Sequence, residues 1–211
     1  VISVEMDPVH VCIARNIAIL TGLEAHMAVR VGHSDDAVPL LYEAAHRFDM
    51  VFMDQRSTRF HSDLATLEDL AMLSPGCMVV ADNVLKPGAP RWLWRISNGE
   101  GYASDIVSVR EFGSAETEDW MTVTRIPLAR RCVTVAPEPP GLVSLAARAD
   151  RMRFRTVARS MEDTRRELEN VNREFTRDLA GLGIRKTKAV VTTLSSEGAV
   201  SRVAPVVSGT A

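Results

Sequence analysis

An acid and an amide stand side by side at Asp82 and Asn83, directly after the apolar run 78–81. Both side chains carry oxygen atoms that can accept hydrogen bonds or bind a hard cation. At the end of a strand, such a pair is either a turn signal or part of a metal site. Asp54 follows a second apolar run, 50–53, and is likewise either a turn residue or part of a metal site. From these residues alone both interpretations stay open.

Apolar runs of strand length alternate with segments of helical periodicity along the first part of the chain. The predicted strands are residues 1–5, 27–31, 48–53 and 77–81, and the predicted helices are residues 9–21, 35–46, 61–72 and 89–96. Two further strands, about 104–112 and 119–126, predict an antiparallel hairpin. This alternation predicts an α/β fold with a mostly parallel sheet and helices on both faces. The uninterrupted apolar strands fit a sheet that is covered on both sides.

Polar or small residues follow four of these predicted strands. They are Glu5, the turn at 32–34, Asp54 and the Asp82–Asn83 pair. In open parallel sheets ligands bind outside the carboxyl ends of the strands. We therefore expect a binding site at this edge of the sheet.

Composition excludes several classes of protein. The chain has 211 residues, of which 46% are hydrophobic and 25% charged, which suits one globular domain with additional chain. Its three cysteines are widely spaced and form no CxxC motif, so we expect reduced thiols and no structural zinc site. No apolar run approaches the ~20 residues of a membrane span, and no signal segment opens the sequence. These features predict a cytoplasmic protein without a membrane partner.

Charge and composition divide the chain after the α/β region. Residues 1–147 hold 12 basic and 19 acidic residues, a net −7, whereas residues 148–188 hold 12 basic and 7 acidic residues, a net +5. We expect a domain over 1–135, a linker at 136–141, a charged helical extension over 142–182 and a flexible tail over 183–211. The extension is either a solvated helix packed on the domain or a coiled-coil-like helix for a protein partner. Nucleic acid binding is not favoured, because acidic residues interrupt the basic ones and no aromatic platform accompanies them.

Three stretches resemble the catechol O-methyltransferase family. They are VEMDP (4–8), DMVFMDQRSTRF (49–60) and VVADNVLKPGAP (79–90), in the order of the family, and the resemblance covers roughly residues 1–127. It implies a Rossmann-like methyltransferase sheet and two cofactors, S-adenosylmethionine and Mg²⁺. The implied reaction is transfer of a methyl group to a hydroxyl of a catechol or a related diol.

The resemblance also implies roles for individual residues. Cofactor contacts fall on Glu5 at the ribose, Met6 at the adenine, and Gly32, His33, Ser34, Asp35 and Gln55. The implied metal ligands are Asp54, Asp82 and Asn83. A family carboxylate that binds a substrate hydroxyl matches Asp119 best, with Glu118 as the neighbouring candidate. His33 is alternatively a solvated turn residue.

Two departures from the family pattern matter. The family has a lysine that takes the substrate proton three residues after its first metal-binding Asp, where this chain has Ser57. Arg56 and Arg59 stay protonated, so either a metal-bound hydroxide replaces the base or turnover is slow or absent. The family's first strand and glycine-rich loop have no counterpart before Val1, so we expect a sheet truncated at its start, with a gap or with its flanking strands paired directly. The alternative function is a non-catalytic remnant whose C-terminal helix mediates protein interaction.

Overall fold

The computed structural model describes residues 1–110, 118–128, 133–155, 161–195 and 198–206. The chain divides into two compact units. The first comprises residues 1–47 and 63–72, and the second comprises residues 48–62 and 73–211. The described strands form two sheets, one of two strands and one of six.

The first unit is built from two strand–helix pairs. Its elements are β1 (Ile2–Glu5), α1 (Pro8–Leu20), β2 (Ala28–Val31), α2 (Ser34–Glu43) and most of α3 (Phe60–Asp69). β1 and β2 are parallel, and Glu5 lies opposite Val31. Both strands therefore end at the same edge of their sheet, as the sequence predicts.

Helix α1 begins and ends where its sequence signals predict. The Asp7 side chain accepts a hydrogen bond from the Val9 backbone N–H, and Pro8 occupies the first turn, where its missing N–H costs nothing. At the other end Gly22 adopts φ +69°, a backbone conformation that glycine takes without strain. The helix start fixes the direction in which the chain leaves β1.

The second unit contains the six-stranded sheet. Its strands are β3 (Phe48–Met53), β4 (Leu73–Ala81), β5 (Ala103–Arg110), β6 (Glu118–Arg125), β7 (Lys188–Ser195) and β8 (Gly198–Pro205). Their order across the sheet is β3-β4-β6-β5-β7-β8. β3 and β4 are parallel, and β5 and β6 pair antiparallel, which confirms the predicted hairpin. The α/β fold class predicted from the sequence is thus confirmed.

Three helices pack within the second unit. They are α4 (Pro90–Asn98), α5 (Pro140–Arg155) and α6 (Met161–Gly181). Trp92 on α4 is fully buried and donates from Nε1 to Thr122 Oγ1 at 2.9 Å, whereas Trp94 is only partly buried. The two tryptophans therefore differ in burial although they are two residues apart on the same helix. None of the described helices is long and apolar enough to cross a membrane.

The C-terminal part differs from its predicted organisation. Residues 188–195 and 198–205, expected in a flexible tail, form the antiparallel strands β7 and β8, and β7 pairs with β5 through Val107 and Ser108. The valine- and threonine-rich composition of these residues suits strands, and the free edge of β5 gives them a partner. Within the helical extension expected over 142–182, the described residues form α5 and α6. Their apolar positions, including Leu142, Leu145, Phe175 and Leu179, are buried.

Candidate active site

The ends of β1 and β2 meet in the first unit. Gly32 donates its backbone N–H to the Glu5 carbonyl oxygen at 3.0 Å, so the residues that follow the two strands are neighbours. Glu5 Oε1 accepts a hydrogen bond from the Asp7 backbone N–H at 2.7 Å, which fixes the carboxylate at the strand end. Gly32 has φ +146° and leaves the space beside the backbone open, because an added Cβ would lie 4.0 Å from its nearest neighbour, Asp36 Cβ.

The other predicted cofactor contacts of this unit surround the same strand ends. Met6 is 61% exposed although it is a large apolar side chain. His33 precedes α2 without capping it through its side chain, and Ser34 and Asp35 open the first turn of that helix. Thus Glu5, Met6, Gly32, His33, Ser34 and Asp35 lie at one edge of the two-stranded sheet. Their cofactor role, and that of the exposed Gln55 in the second unit, stays a prediction.

The predicted metal ligands follow two paired strands of the second unit. Met53 and Ala81 are partners in the parallel pair β3–β4, and the Asp82 backbone N–H donates to the Met53 carbonyl at 3.0 Å. Asp54 and Asp82 are therefore neighbours at the strand ends. Burial, and then the negative charge of Asp82, raise the pKa of Asp54. A cation bound beside Asp54 would favour the ionised form of this carboxylate.

Asn83 completes the set of oxygen atoms at this edge. Its backbone adopts the left-handed conformation, φ 54° and ψ 39°, and its backbone N–H donates to Asp82 Oδ1 at 2.8 Å. Its side-chain Nδ2 donates to Asp119 Oδ2 at 2.9 Å. An ionised carboxylate only accepts hydrogen bonds, so the amide nitrogen must face Asp119. The amide carbonyl oxygen is thereby turned away from Asp119.

No group of three or more His, Cys, Asp and Glu side chains suited to a metal occurs among the described residues. A cation at Asp54 and Asp82 therefore depends on the amide oxygen of Asn83 and on water for its further ligands. Such a mixed oxygen set with retained water is the coordination that Mg²⁺ accepts in proteins. The donor chemistry of the three side chains fits this ion.

Asp119 is buried beneath the site. It is 1% exposed, and besides the Asn83 amide its Oδ1 accepts the backbone N–H groups of Leu85 (3.2 Å), Lys86 (3.0 Å) and Trp120 (2.7 Å). Burial raises its pKa to about 6, against the hydrogen bonds from Asn83 and the backbone, which lower it. Three of its four hydrogen-bond donors bind Oδ1 and one binds Oδ2, so both carboxylate oxygens are held in place. The structure thus places Asp119 where it orients Asn83 and the following turn.

Glu118, the neighbouring candidate, is bound to the C-terminal extension. Its Oε1 accepts hydrogen bonds from Lys186 Nζ, Ser108 Oγ and Trp120 Nε1. Burial acts to raise the pKa of Glu118, but these hydrogen bonds and the positive charge of Lys186 outweigh it and hold the pKa below its usual value. Asn172 of α6 also donates to the Glu118 carbonyl oxygen at 2.9 Å.

A short turn, Val84–Gly88, connects the predicted ligands to α4 and is covered by the extension. Gly88 has φ +108°, and a Cβ at this position would lie 2.8 Å from Phe175 Cε1 of α6. Ser57, which replaces the family lysine, is 2% exposed and donates from Oγ to the Gly88 carbonyl oxygen at 3.0 Å. The side chain at position 57 therefore lies inside the fold and braces the same turn.

Sequence reasoning missed the residues that support this site from the C-terminal side. Asn172, Phe175 and Lys186 lie outside the stretch that resembles the family, and no motif marks them. The coiled-coil-like character of the extension indicated that its helix has an apolar face, but not which part of the protein this face packs against. Their contacts with the site are found only in the three-dimensional structure.

The sequence is similar to several known O-methyltransferases. No protein-family model matches the chain. Catechol O-methyltransferase from Sus scrofa is 35% identical over 94 residues, which are 44% of this chain and 50% of that protein. Over this region the chain is similar to catechol O-methyltransferases. Catechol O-methyltransferase B from Danio rerio is 31% identical over 105 residues, 49% of this chain and 40% of that protein.

A further relative is the transmembrane O-methyltransferase from Homo sapiens, 40% identical over 96 residues, 44% of this chain and 33% of that protein. The chain thus spans half or less of the length of these catechol O-methyltransferase relatives. The resemblance stated from the motifs is confirmed for this part of the family's sequence.

Solved structures confirm the methyltransferase-type fold. An O-methyltransferase from Bacillus cereus, solved in complex with S-adenosylhomocysteine, aligns with a TM-score of 0.52 and 17% identity over 59% of this chain and 61% of that chain. The O-methyltransferase TomG from Streptomyces achromogenes, in complex with S-adenosylmethionine, aligns with a TM-score of 0.51 and 19% identity over 60% of this chain and 61% of that chain. At this level of identity the likeness concerns the fold alone.

Proposed function

We propose that this protein transfers the methyl group of S-adenosylmethionine to a hydroxyl of a catechol-type substrate, with Mg²⁺ held by Asp54, Asp82 and Asn83. The observation that supports this most is the pairing of β3 with β4, which brings both aspartates and the asparagine to one strand edge. Sequence similarity to catechol O-methyltransferases across this region supports the same reaction class.

The three ligand side chains have distinct tasks in this proposal. Asp54 and Asp82 supply the negative charge, and a bound cation would offset the burial and the Asp82 charge that raise the pKa of Asp54. Asn83 supplies a neutral carbonyl oxygen, which its hydrogen bond to Asp119 orients. When bound, Mg²⁺ would polarise the substrate hydroxyls and fix their position.

The cofactor would lie against the polar edge of the first unit. Glu5 would accept hydrogen bonds from the ribose hydroxyls, and Met6 would pack on the adenine, because its exposed side chain offers an apolar surface there. Gly32 and the start of α2 would line the rest of the nucleoside site. For Gln55, which follows β3 in the second unit, a cofactor contact stays the expectation from the family resemblance.

The substrate proton has no lysine acceptor at position 57. Ser57 is buried and bonded to the Gly88 carbonyl, so it does not supply a base in place of the lysine. A missing general base typically lowers rates by roughly 10²–10⁴-fold. We therefore expect slow methyl transfer that rises with pH, as more of the substrate is deprotonated without help from the protein.

The experiment that tests this function is methyl transfer from labelled S-adenosylmethionine to catechol, with Mg²⁺ and with a chelator. We expect label in the catechol product only with the metal, and a loss in Asp82→Ala. Asp69→Ala is the matched control, because it removes an exposed carboxylate that is not among the proposed ligands. Cofactor binding by calorimetry without any transfer would instead favour the non-catalytic alternative.

A further inference from the structure

The start of β6 is held by two parts of the C-terminal extension. Glu118 is the first residue of this strand, and its Oε1 accepts a hydrogen bond from Nζ of Lys186, in the segment between α6 and β7. The Glu118 carbonyl oxygen accepts a second hydrogen bond, from Asn172 Nδ2 of α6 at 2.9 Å. Asn172 is 8% exposed, so this contact lies inside the second unit. The extension thus holds both the side chain and the backbone of Glu118.

This support falls where the sheet supplies little of its own. The ladder between β4 and β6 ends at the pair Ala81–Thr122, so residues 118–121 extend past it. Over this stretch the described ladders pair β6 with β5 only. A strand end that is paired on one side is easier to displace than one paired on both sides, because fewer backbone hydrogen bonds hold it. The contacts from the extension replace the support of a second neighbouring strand.

Asp119 transmits this support to a proposed metal ligand. It follows Glu118 directly, and its Oδ2 accepts the hydrogen bond from Asn83 Nδ2 at 2.9 Å. Neighbouring Cα atoms are a fixed ~3.8 Å apart, so a shift of the Glu118 backbone also moves Asp119. Good N–H···O hydrogen bonds span ~2.7–3.2 Å, so a shift of about half an ångström would weaken this one. The orientation of the Asn83 amide therefore depends on where Glu118 is held.

The same face of α6 also contacts the far end of the turn that follows Asn83. Phe175 is 1% exposed, and a Cβ at Gly88 would lie 2.8 Å from its Cε1. Asn172 and Phe175 are three residues apart in the helix, so they share one of its faces. This face touches both the start of β6 and the Val84–Gly88 turn, the two segments that flank the hydrogen bond between Asn83 and Asp119.

We propose, on the basis of the metal site proposed above, that Lys186 and Asn172 are positioning residues for this site, because they hold Glu118 so that Asp119 keeps the Asn83 amide oxygen available to the cation. The C-terminal extension, which lies outside the stretch that resembles the family, is then part of the proposed active site. It acts through Glu118 and Asp119 and does not bind the cation itself.

The test compares two lysines by titration of Mn²⁺ into the full chain, followed by electron paramagnetic resonance. Lys186 pairs with Glu118 at 2.5 Å. Lys188 pairs with Asp105 at 2.6 Å, and all four side chains are between 35% and 39% exposed. Lys186→Met should weaken Mn²⁺ binding roughly three- to tenfold, less than the 10–100-fold typical of a residue bonded directly to a metal ligand. Lys188→Met is the matched control and should not weaken it.

The sign of the change separates positioning from the effect of charge alone. Loss of a positive charge near an acidic site favours a bound cation, so by charge alone removal of either lysine would tighten Mn²⁺ binding. Loss of positioning weakens it. Lys186→Arg keeps the charge and the N–H donors and should bind Mn²⁺ as the wild type does. Asn172→Ala changes no charge and should weaken binding in the same direction as Lys186→Met.

A second measurement needs no metal. In ¹⁵N–¹H nuclear magnetic resonance spectra of the metal-free chain, the side-chain amide signal of Asn83 can be assigned from Asn83→Ala. This signal should move toward the position of a solvent-exposed amide in Lys186→Met and in Asn172→Ala, and stay in place in Lys188→Met. Near-ultraviolet circular dichroism checks that each variant is folded.

The outcomes distinguish the positioning role from the proposed function. If the wild type binds Mn²⁺, equal affinity or an unmoved Asn83 signal in the folded Lys186→Met protein would overturn the positioning role and leave the proposed function intact. Equal weakening in Lys186→Met and Lys188→Met would also overturn it, as a general loss of stability. A wild type that binds no Mn²⁺, with the Asn83 signal still displaced in Lys186→Met, would contradict the proposed metal site and support the positioning of Asn83.

Discussion

Replacement of Asp119 by asparagine should change how stability depends on pH. In the wild type, burial raises the pKa of Asp119 from 3.8 to about 6. The folded protein therefore holds this proton more tightly than the unfolded chain. The carboxyl group's contribution to folding is fully present below about pH 4 and is lost as the pH rises through about 6.

The magnitude follows from the size of this shift. A rise from 3.8 to about 6 is about two pKa units, which at about 1.4 kcal/mol per unit corresponds to roughly 3 kcal/mol of unfolding free energy. Asparagine at this position does not titrate. Between about pH 4 and pH 7.5 the wild type should therefore lose about 3 kcal/mol relative to Asp119→Asn. A constant offset from altered hydrogen bonds cancels in this comparison.

Urea denaturation at several pH values, with a chelator present, measures this difference. The three tryptophans, Trp92, Trp94 and Trp120, all lie in the second unit, so their fluorescence reports on the unit that contains Asp119. The exposed Asp69→Asn serves as the control: it retains Asp119, so its stability should depend on pH as that of the wild type does. A wild type and Asp119→Asn whose stabilities differ by the same amount at all pH values would refute the reasoning.

Three further substitutions test the packing around the site. Gly88→Ala should cost about 1–3 kcal/mol in urea denaturation, because its Cβ would lie 2.8 Å from Phe175 Cε1 at a backbone φ of +108°. Ser57→Lys should lower stability by a similar amount, because position 57 is 2% exposed and the longer side chain does not fit there. Methyl transfer by this variant should be no faster than in the wild type, and a faster enzyme would contradict this expectation. Trp92→Phe should cost roughly 1–3 kcal/mol by leaving Thr122 Oγ1 without its donor, and an unchanged denaturation midpoint would contradict it.

The regular elements of the α/β part could be predicted from sequence because their signals are local. Apolar runs, helical spacing and the Asp7–Pro8 cap act within a few residues, and the structure has helices and strands where they predict them. The start of β4 was harder to predict. It begins at Leu73 instead of Cys77, and its pairing with β3 shifts register between Phe48 and Met50. Pro75 and Gly76 obscure such a strand, because both residues are typical of turns.

The candidate site was predictable only as a set of residue types. The strand-end positions of Asp54, Asp82 and Asn83 follow from the parallel pairing that the alternating pattern implies. Their orientation does not, because the partner of the Asn83 amide is Asp119, 36 residues away. The hydrogen bonds that Asp119 accepts from the backbone in turn depend on the folded Val84–Gly88 turn.

The C-terminal extension illustrates the limit of composition as a guide. Charge and linker composition indicated a separate helical region, yet Phe175 packs against the Gly88 position and Lys186 binds Glu118. Lys186 and Glu118, for example, are 68 positions apart in the sequence. No local pattern encodes such a pairing. A role of this extension in binding a protein partner stays a prediction.

The most direct test of the central claim is a titration of Mn²⁺, as a paramagnetic substitute for Mg²⁺, followed by electron paramagnetic resonance. The account predicts one bound ion per chain that Mg²⁺ displaces, at least tenfold weaker binding in Asp82→Ala, and unchanged binding in Asp69→Ala. An ion bound equally well by a folded Asp82→Ala protein, or no ion bound by the folded wild type, would contradict the assignment of Asp54, Asp82 and Asn83 as the metal site.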